Sequence, residues 1–271
     1  MTSTSGSFCA VGIGMMLGAD LAPRARSEIE QADAVFALVS DPVVELWVQQ
    51  IRPDMRSLQP YYAEGKRRTV SYREMIDAML SRVRAGEHVC GVFYGHPGVF
   101  AQVPHDAVAQ ARREGHRAEM LPAVSAEDCL YADLGIDPGR FGCQHYETSQ
   151  LMFCRRTLDP SAYLVLWQIG LAGDRSVSRL VTGAAHRRLL LELLEAAGYP
   201  LDHEVILYEA ATLPIAAPRI DRLPLRALPE ATLSMQTTLV LPPARPMARN
   251  EDMLKRLAAL EAALAAGFPV D

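Results

Sequence analysis

His88-Val89-Cys90-Gly91-Val92-Phe93-Tyr94-Gly95-His96-Pro97-Gly98-Val99-Phe100 is the stretch from which the rest of the chain is read. Residues 88–94 form an apolar, β-rich run of strand length, and two glycines with a proline then build a tight loop at its carboxyl end. Backbone groups can approach a ligand in such a loop. A plain turn needs the glycines and the proline but neither Tyr94 nor His96, so the loop is read as part of a ligand site. His96 is then either a general base or a simply hydrogen-bonded ring.

Outward from this loop, residues 103–114 read as a helix stopped by Gly115, and residues 117–124 as a strand containing Pro122. Upstream, residues 8–14 and 34–39 read as strands. Residues 70–85 carry Met75, Ile76, Met79, Leu80 and Val83 at helical spacing, which puts Tyr72 in a first turn with Arg68 just before it. Downstream, Ser125 reads as an N-cap with Asp128 as its capping-box acid. Strands follow at 143–148, 163–169, 205–209 and 238–241, with a long helix at 184–197. Alternating strands and amphipathic helices predict α/β layers with a largely parallel sheet. A boundary near Pro122 gives an α/β domain over 1–122, a second over 123–246, and a C-terminal amphipathic helix within 247–271. The proline-rich run 213–229 reads as an irregular surface excursion. In the last helix Met253, Leu254, Leu257, Leu260 and Leu264 form an apolar stripe, to be covered by its own subunit or by another chain.

A second segment carries chemistry: Tyr61-Tyr62-Ala63-Glu64-Gly65-Lys66-Arg67-Arg68-Thr69-Val70-Ser71-Tyr72. A phenol ionises near pH 10, about the limit of usefulness as a base, and a fixed guanidinium favours the phenolate. Arg68 is the candidate cation, and Tyr72 and Tyr62 the candidate phenols. The plain alternative is a solvated basic loop leading into a helix.

Composition narrows the field. A net charge of −5 leaves only the patch Lys66, Arg67 and Arg68 for a phosphate backbone, so no nucleic-acid partner is expected. The apolar stretch 9–17 is too short and too glycine-rich to span a bilayer, which predicts a soluble cytoplasmic protein without a membrane partner. Five cysteines without a C-x-x-C read as buried reduced thiols, and seven scattered histidines predict no metal. Gly12-Ile13-Gly14 is followed by Gly18, so the dinucleotide fingerprint is not met, and Asp41-Pro42 reads equally as a strand-to-helix turn. No G-x-S-x-G elbow supports a serine hydrolase.

Residues 91–100, then Met120-Leu121-Pro122-Ala123-Val124-Ser125-Ala126-Glu127-Asp128 and Leu164-Val165-Leu166-Trp167-Gln168, resemble the borosin peptide-backbone α-N-methyltransferases, within the wider tetrapyrrole-methylase superfamily. The resemblance runs from about residue 9 to 243. It implies a two-domain α/β fold of the class III methyltransferase type, with S-adenosylmethionine in the interdomain cleft and S-adenosylhomocysteine as product. It implies cofactor contacts at Tyr94, His96, Val99, Ala126, Gln168, Ala210, Thr237 and Thr238. The family pattern K-x-R-x-x-[ST]-Y is met by Lys66, Arg68, Ser71 and Tyr72, which makes Arg68 and Tyr72 the expected catalytic pair, supported by Tyr62 and Tyr94. Fungal relatives carry their substrate as a C-terminal extension, whereas this sequence stops at Asp271, so a separate precursor peptide is expected, together with a homodimer. Two rivals are a tetrapyrrole C-methyltransferase, which needs a broad trough and no tyrosine-arginine set, and a catalytically silent peptide-binding partner.

Overall fold

The computed structural model describes residues 6–39, 41–63, 65–175 and 181–266. Its first half runs β1 (Ser7–Gly12), α1 (Pro23–Gln31), β2 (Ala34–Leu38), α2 (Pro42–Ile51), β3 (Arg56–Ser57), α3 (Arg68–Arg84), β4 (His88–Phe93), α4 (Gln102–Arg113) and β5 (Arg117–Met120). The five strands form one sheet in the order β3-β2-β4-β1-β5, every pair parallel. Period-two alternation sorts its side chains to opposite faces: Phe8 and Ala10 enter one buried cluster with α3 and α4, while Cys9 and Val11 enter another with α1 and α2. In a parallel sheet the loops after the strands share one edge, so the turns beginning at Ile13, Val39, Leu58, Tyr94 and Leu121 crowd together.

The second half runs α5 (Ala126–Leu134), α6 (Pro138–Phe141), β6 (Cys143–Glu147), α7 (Thr148–Phe153), β7 (Tyr163–Trp167), α8 (Ala184–Ala196), β8 (Glu204–Glu209), β9 (Arg219–Pro224), β10 (Thr238–Leu241) and α9 (Glu251–Ala265). Its sheet has the order β6-β7-β10-β8-β9 and is mixed, mostly antiparallel where a largely parallel sheet is expected from the sequence. Only β6 and β7 are parallel; the other pairs are antiparallel. The cause is connectivity, because β8 turns back into β9 without a crossover helix.

The run 213–229 is likewise not an irregular excursion. Arg219–Pro224 pairs along the whole of β8, from Glu209 opposite Arg219 to Glu204 opposite Pro224, and the following 3-10 turn buries Leu225 and Leu228 completely. Prolines mask this edge strand in the sequence because an edge residue can lack the ladder donor without loss. Helix α3 also starts earlier than its apolar spacing suggests: Arg68 is already its first residue and Tyr72 opens the second turn. Asp41 is the N-cap of α2, its carboxylate accepting from the Val43 amide at 2.8 Å. Of the five free cysteines, Cys9 and Cys90 are buried, Cys129 and Cys143 half-buried, and Cys154 exposed, so burial does not extend to all of them. Helix α9 buries none of its residues, and its apolar stripe from Met253 to Leu264 is not docked on the rest of the chain. Among the described residues no helix is long and apolar enough to cross a membrane.

Two buried tyrosines separate packing from hydrogen bonding. The Tyr208 hydroxyl donates to Asp133 Oδ2 at 2.7 Å, whereas the equally buried Tyr199 hydroxyl has no partner among the described residues. Tyr199→Phe is expected to leave stability unchanged or raise it by about 1 kcal/mol, and Tyr208→Phe to lower it by about 1–2 kcal/mol, because only the first removes an unpaid desolvation. Urea denaturation of the two variants beside the parent chain measures both.

Candidate functional site

A cleft of about 640 Å³ lies where the carboxyl edge of the first sheet meets the second sheet. Its first wall exists because glycine permits a backbone crossing. A Cβ on Gly12 would stand 2.2 Å from the Gly95 carbonyl oxygen and 2.7 Å from Pro97 Cδ, distances no side chain tolerates. Gly95, at φ +63°, exchanges hydrogen bonds with Gly14, its N–H reaching the Gly14 oxygen at 3.0 Å. The loop is braced further on: the Gly98 N–H donates to His96 Nδ1 at 2.8 Å, and His105 Nε2 donates to the Gly98 oxygen at 2.9 Å. A neutral His96 ring therefore carries its proton on Nε2.

The second wall is the amino end of α5. Ser125 and Asp128 form the expected capping box, with the Ser125 N–H and hydroxyl each donating to Asp128 Oδ2 at 2.7 Å. Burial works against the Asp128 carboxylate, but these hydrogen bonds outweigh it and hold the group below its usual range. The arrangement leaves Ala126 at the first helical position, beside unpaired amides and the positive end of the helix dipole. The third wall comes from β7 and β8. Gln168 and Phe100 are the non-glycine residues with positive φ among the described residues, at +56° and +50°, and both line the cleft. Left-handed backbone at such residues costs about 1–3 kcal/mol and persists where surrounding packing imposes it. Phe100 leans on Trp167 with ring centroids 5.1 Å apart.

Of the residues expected at a cofactor site, Tyr94, His96, Val99, Ala126, Gln168, Ala210 and Thr238 all line this cleft. Thr237 does not. It is fully buried behind the wall, and its hydroxyl donates to Glu209. Burial first, then Cys129 and the carboxylates of Asp41 and Asp20, push the Tyr94 phenol up to about 12, so it is a neutral hydroxyl at ordinary pH. Lining residues that the sequence did not single out include Glu209, Tyr208, Phe100 and Trp167. Glu209 accepts from Arg219 Nη1 and Ser234 Oγ, both at 2.9 Å, and from Thr237. All three reach Oε1, and Oε2 has no partner among the described residues. The signal that finds Glu209 and Trp167 is positional: each ends a strand of the second sheet.

Tyr62, Arg68 and Tyr72 stand apart from the cleft lining, at the amino end of α3 on the same edge of the first sheet. The Tyr62 and Tyr72 rings meet edge to face, 6.3 Å between centroids. Lys66 anchors the segment by donating to the Tyr61 oxygen at 2.9 Å and pairing with Glu74. Among the described residues Arg68 has no carboxylate at ion-pair distance and the buried Ser71 hydroxyl has no partner. The Tyr62 phenol is pushed up, first by burial and then by the Tyr72 hydroxyl, with the Arg68 guanidinium opposing. That side chain is a hydrogen-bond donor rather than a phenolate.

One group of metal-type ligands does assemble, Cys9, Glu28 and Glu119, with donor atoms within 4.8 Å of one another and none of them in the cleft. Glu119 pairs with Arg24 at 2.8 Å, Glu28 with His88 at 3.0 Å, and the thiol is pushed up to about 12, chiefly by burial. Its charges are met by the protein itself.

The chain is 37% identical over 262 residues to a methyltransferase/ribosomally synthesized cyclic peptide gymnopeptides precursor of Gymnopus fusipes, covering 95% of this chain and 62% of that protein. It is 38% identical over 264 residues to the methyltransferase/ribosomally synthesized cyclic peptide omphalotin A precursor of Omphalotus olearius, covering 95% and 63%. It therefore spans about three fifths of the length of these fungal relatives. Among solved structures, a cobalt precorrin-4 methyltransferase superposes with a TM-score of 0.63 at 17% identity, over 89% of this chain and 97% of that one. A uroporphyrin-III-C-methyltransferase from Thermus thermophilus gives 0.60 at 20% identity, over 89% and 93%. These two likenesses concern the fold. The model of the tetrapyrrole (corrin/porphyrin) methylases matches residues 7–228, which takes in the whole of the first sheet and most of the second, and the chain belongs to that family.

Proposed function

We propose that this protein is a methyltransferase that takes its methyl group from S-adenosylmethionine and places it on main-chain amide nitrogens of a peptide. The observation that carries the reading is the likeness, over 95% of the chain, to relatives named as methyltransferase/cyclic peptide precursors. The cleft supports it. Sites for molecules of this size run roughly 300–1,000 Å³ and combine apolar walls with a few placed polar groups. Phe100 and Trp167 offer aromatic faces for a purine, Asp41 and Glu209 offer carboxylates for hydroxyl and cationic groups, and the amino end of α5 offers amides for a carboxylate. Tyr94, His96, Val99, Ala126, Gln168, Ala210 and Thr238 complete the proposed contacts, with Thr237 acting through Glu209. When bound, the cofactor supplies an electrophilic methyl group on a sulfonium.

What the protein must supply is a nucleophile. An amide nitrogen shares its lone pair with the carbonyl and attacks poorly until its proton is removed. In this mechanism Tyr72, as the phenolate that the neighbouring Arg68 guanidinium favours, takes the N–H proton and becomes a neutral phenol, and Tyr62, held neutral by burial, donates a hydrogen bond to the Tyr72 oxygen. The Arg68 guanidinium, with no carboxylate at ion-pair distance among the described residues, stabilises negative charge growing on the peptide oxygen, and the neutral Tyr94 hydroxyl orients the reacting amide from the cleft side. A peptide lying along the shared sheet edge meets both groups. The peptide is supplied as a separate chain and two copies of the enzyme act together, a form to which the uncovered apolar stripe of α9 lends support.

Incubation with S-adenosylmethionine and an added precursor peptide is expected to give mass gains in steps of one methyl. Tyr72→Phe is expected to lower the rate about 100-fold or more while leaving the dissociation constant for S-adenosylhomocysteine unchanged, as befits loss of a proton acceptor outside the cofactor cleft. A Tyr72→Phe enzyme working at the parental rate removes the base from the scheme. For Tyr94 the expected result differs: Tyr94→Phe slows turnover but removes no ionisation from the pH–rate profile at neutral or mildly alkaline pH, since that phenol titrates only at about 12.

A further inference from the structure

Trp167 is held by a directed set of hydrogen bonds that the mechanism above does not use. Its indole N–H donates to His145 Nδ1 at 3.1 Å, and the two rings lie nearly parallel, 19° apart with centroids at 6.0 Å. An indole nitrogen can only donate, so a neutral His145 must carry its proton on Nε2. That proton goes to the Tyr131 oxygen at 2.8 Å, and the Tyr131 hydroxyl donates to Glu127 Oε1 at 2.9 Å. Every donor meets one acceptor, and the direction runs from indole to carboxylate without a break. The two ends belong to different walls of the cleft: Trp167 ends β7, and Glu127 lies in the first turn of α5 directly behind Ser125 and Ala126.

We propose that His145 is a positioning residue which, as the neutral Nε2–H tautomer, ties the Trp167 indole to the amino end of α5 and so fixes the spacing of two walls of the cofactor cleft. The role in binding rests on the reading of this cleft as the S-adenosylmethionine site; the tether itself does not. Adding a proton to the ring opens it. Nδ1–H then faces the indole N–H, two donors with no acceptor between them, and the indole edge is released. The groups facing the ring are Glu127 and Tyr131 from α5, and Cys143 and Glu147 from its own strand. Tyr131 and Cys143 are pushed up, chiefly by burial, and stay neutral, and Glu147 is engaged by the Ser149 and Gln150 amides. Glu127, 3.5 Å from Nε2, favours the imidazolium, but burial outweighs it and holds the ring below its usual value. The tether is therefore closed at neutral pH and opens only on acidification.

The chain has two tryptophans, so Trp47→Phe leaves Trp167 as the single indole reporter. In that background the ¹H–¹⁵N indole resonance is expected to be shifted at neutral pH, to move on titration below the ordinary imidazole range, and to take its acid position at neutral pH once His145→Phe is added. The S-adenosylhomocysteine dissociation constant, measured by calorimetry, is expected to rise about tenfold in His145→Phe and to lose its acid dependence, as for one lost hydrogen bond in the wall. An indole resonance that neither acid nor His145→Phe moves overturns the tether, and a dissociation constant that His145→Phe leaves unchanged overturns its role in setting the spacing of the cleft walls. Acid titration of the unaltered His145 reports on the tether even where the variant folds poorly. If the parent binds no S-adenosylhomocysteine, the cofactor reading fails, and the indole resonance still decides whether the tether exists.

Discussion

The absence of a side chain at Gly12 governs where this molecule can hold a ligand. With the Gly95 oxygen 2.2 Å from where a Cβ would stand, the first and fourth strands of the parallel sheet splay into loops that cross in van der Waals contact. The crossing presses the Gly95–Gly98 turn against the sheet edge, and His96 and His105 lock it there. The five parallel strands all end on this edge, so the loops that follow them gather around the crossing. The cleft is what remains between that raised rim and the second sheet.

Two kinds of polar surface then share one edge of the molecule. The cleft is lined by groups whose protons are committed: Tyr94 is kept neutral by burial, His96 is bound through Nδ1, and Glu209 carries three donors on one oxygen. Around the amino end of α3 the opposite holds. Among the described residues a guanidinium without a carboxylate partner stands close to two phenols, and a buried hydroxyl nearby is unsatisfied. Groups left unsaturated in this way are the ones a substrate can complete.

Much of this was legible in the residues, for reasons that differ by element. The loop at 94–98 and the capping box at Ser125 announce themselves because backbone geometry demands particular residue types there. The strands before them follow from apolar runs of strand length. The edge strand Arg219–Pro224 is hidden because half of its residues are exposed and the prolines at its two ends, Pro218 and Pro224, mimic a loop. Glu209, Tyr208 and Phe100 were hidden for another reason. Each is unremarkable locally and acquires a role only when the two sheets face each other, a relation no local spacing encodes. The separation of the Tyr62, Arg68 and Tyr72 group from the cleft lining is of the same kind. The spacing shows that these residues belong together, and the topology decides what they stand beside.

The unusual backbone at Gln168 and Phe100 bears on how the cleft meets a visitor. Both residues are kept away from their preferred basins by the packing around them, one at the end of a buried strand and the other against an indole ring. A wall under that degree of constraint has little conformational freedom left to surrender. An incoming molecule is met by a mould already set, so association carries only a small ordering penalty and selectivity resides in shape.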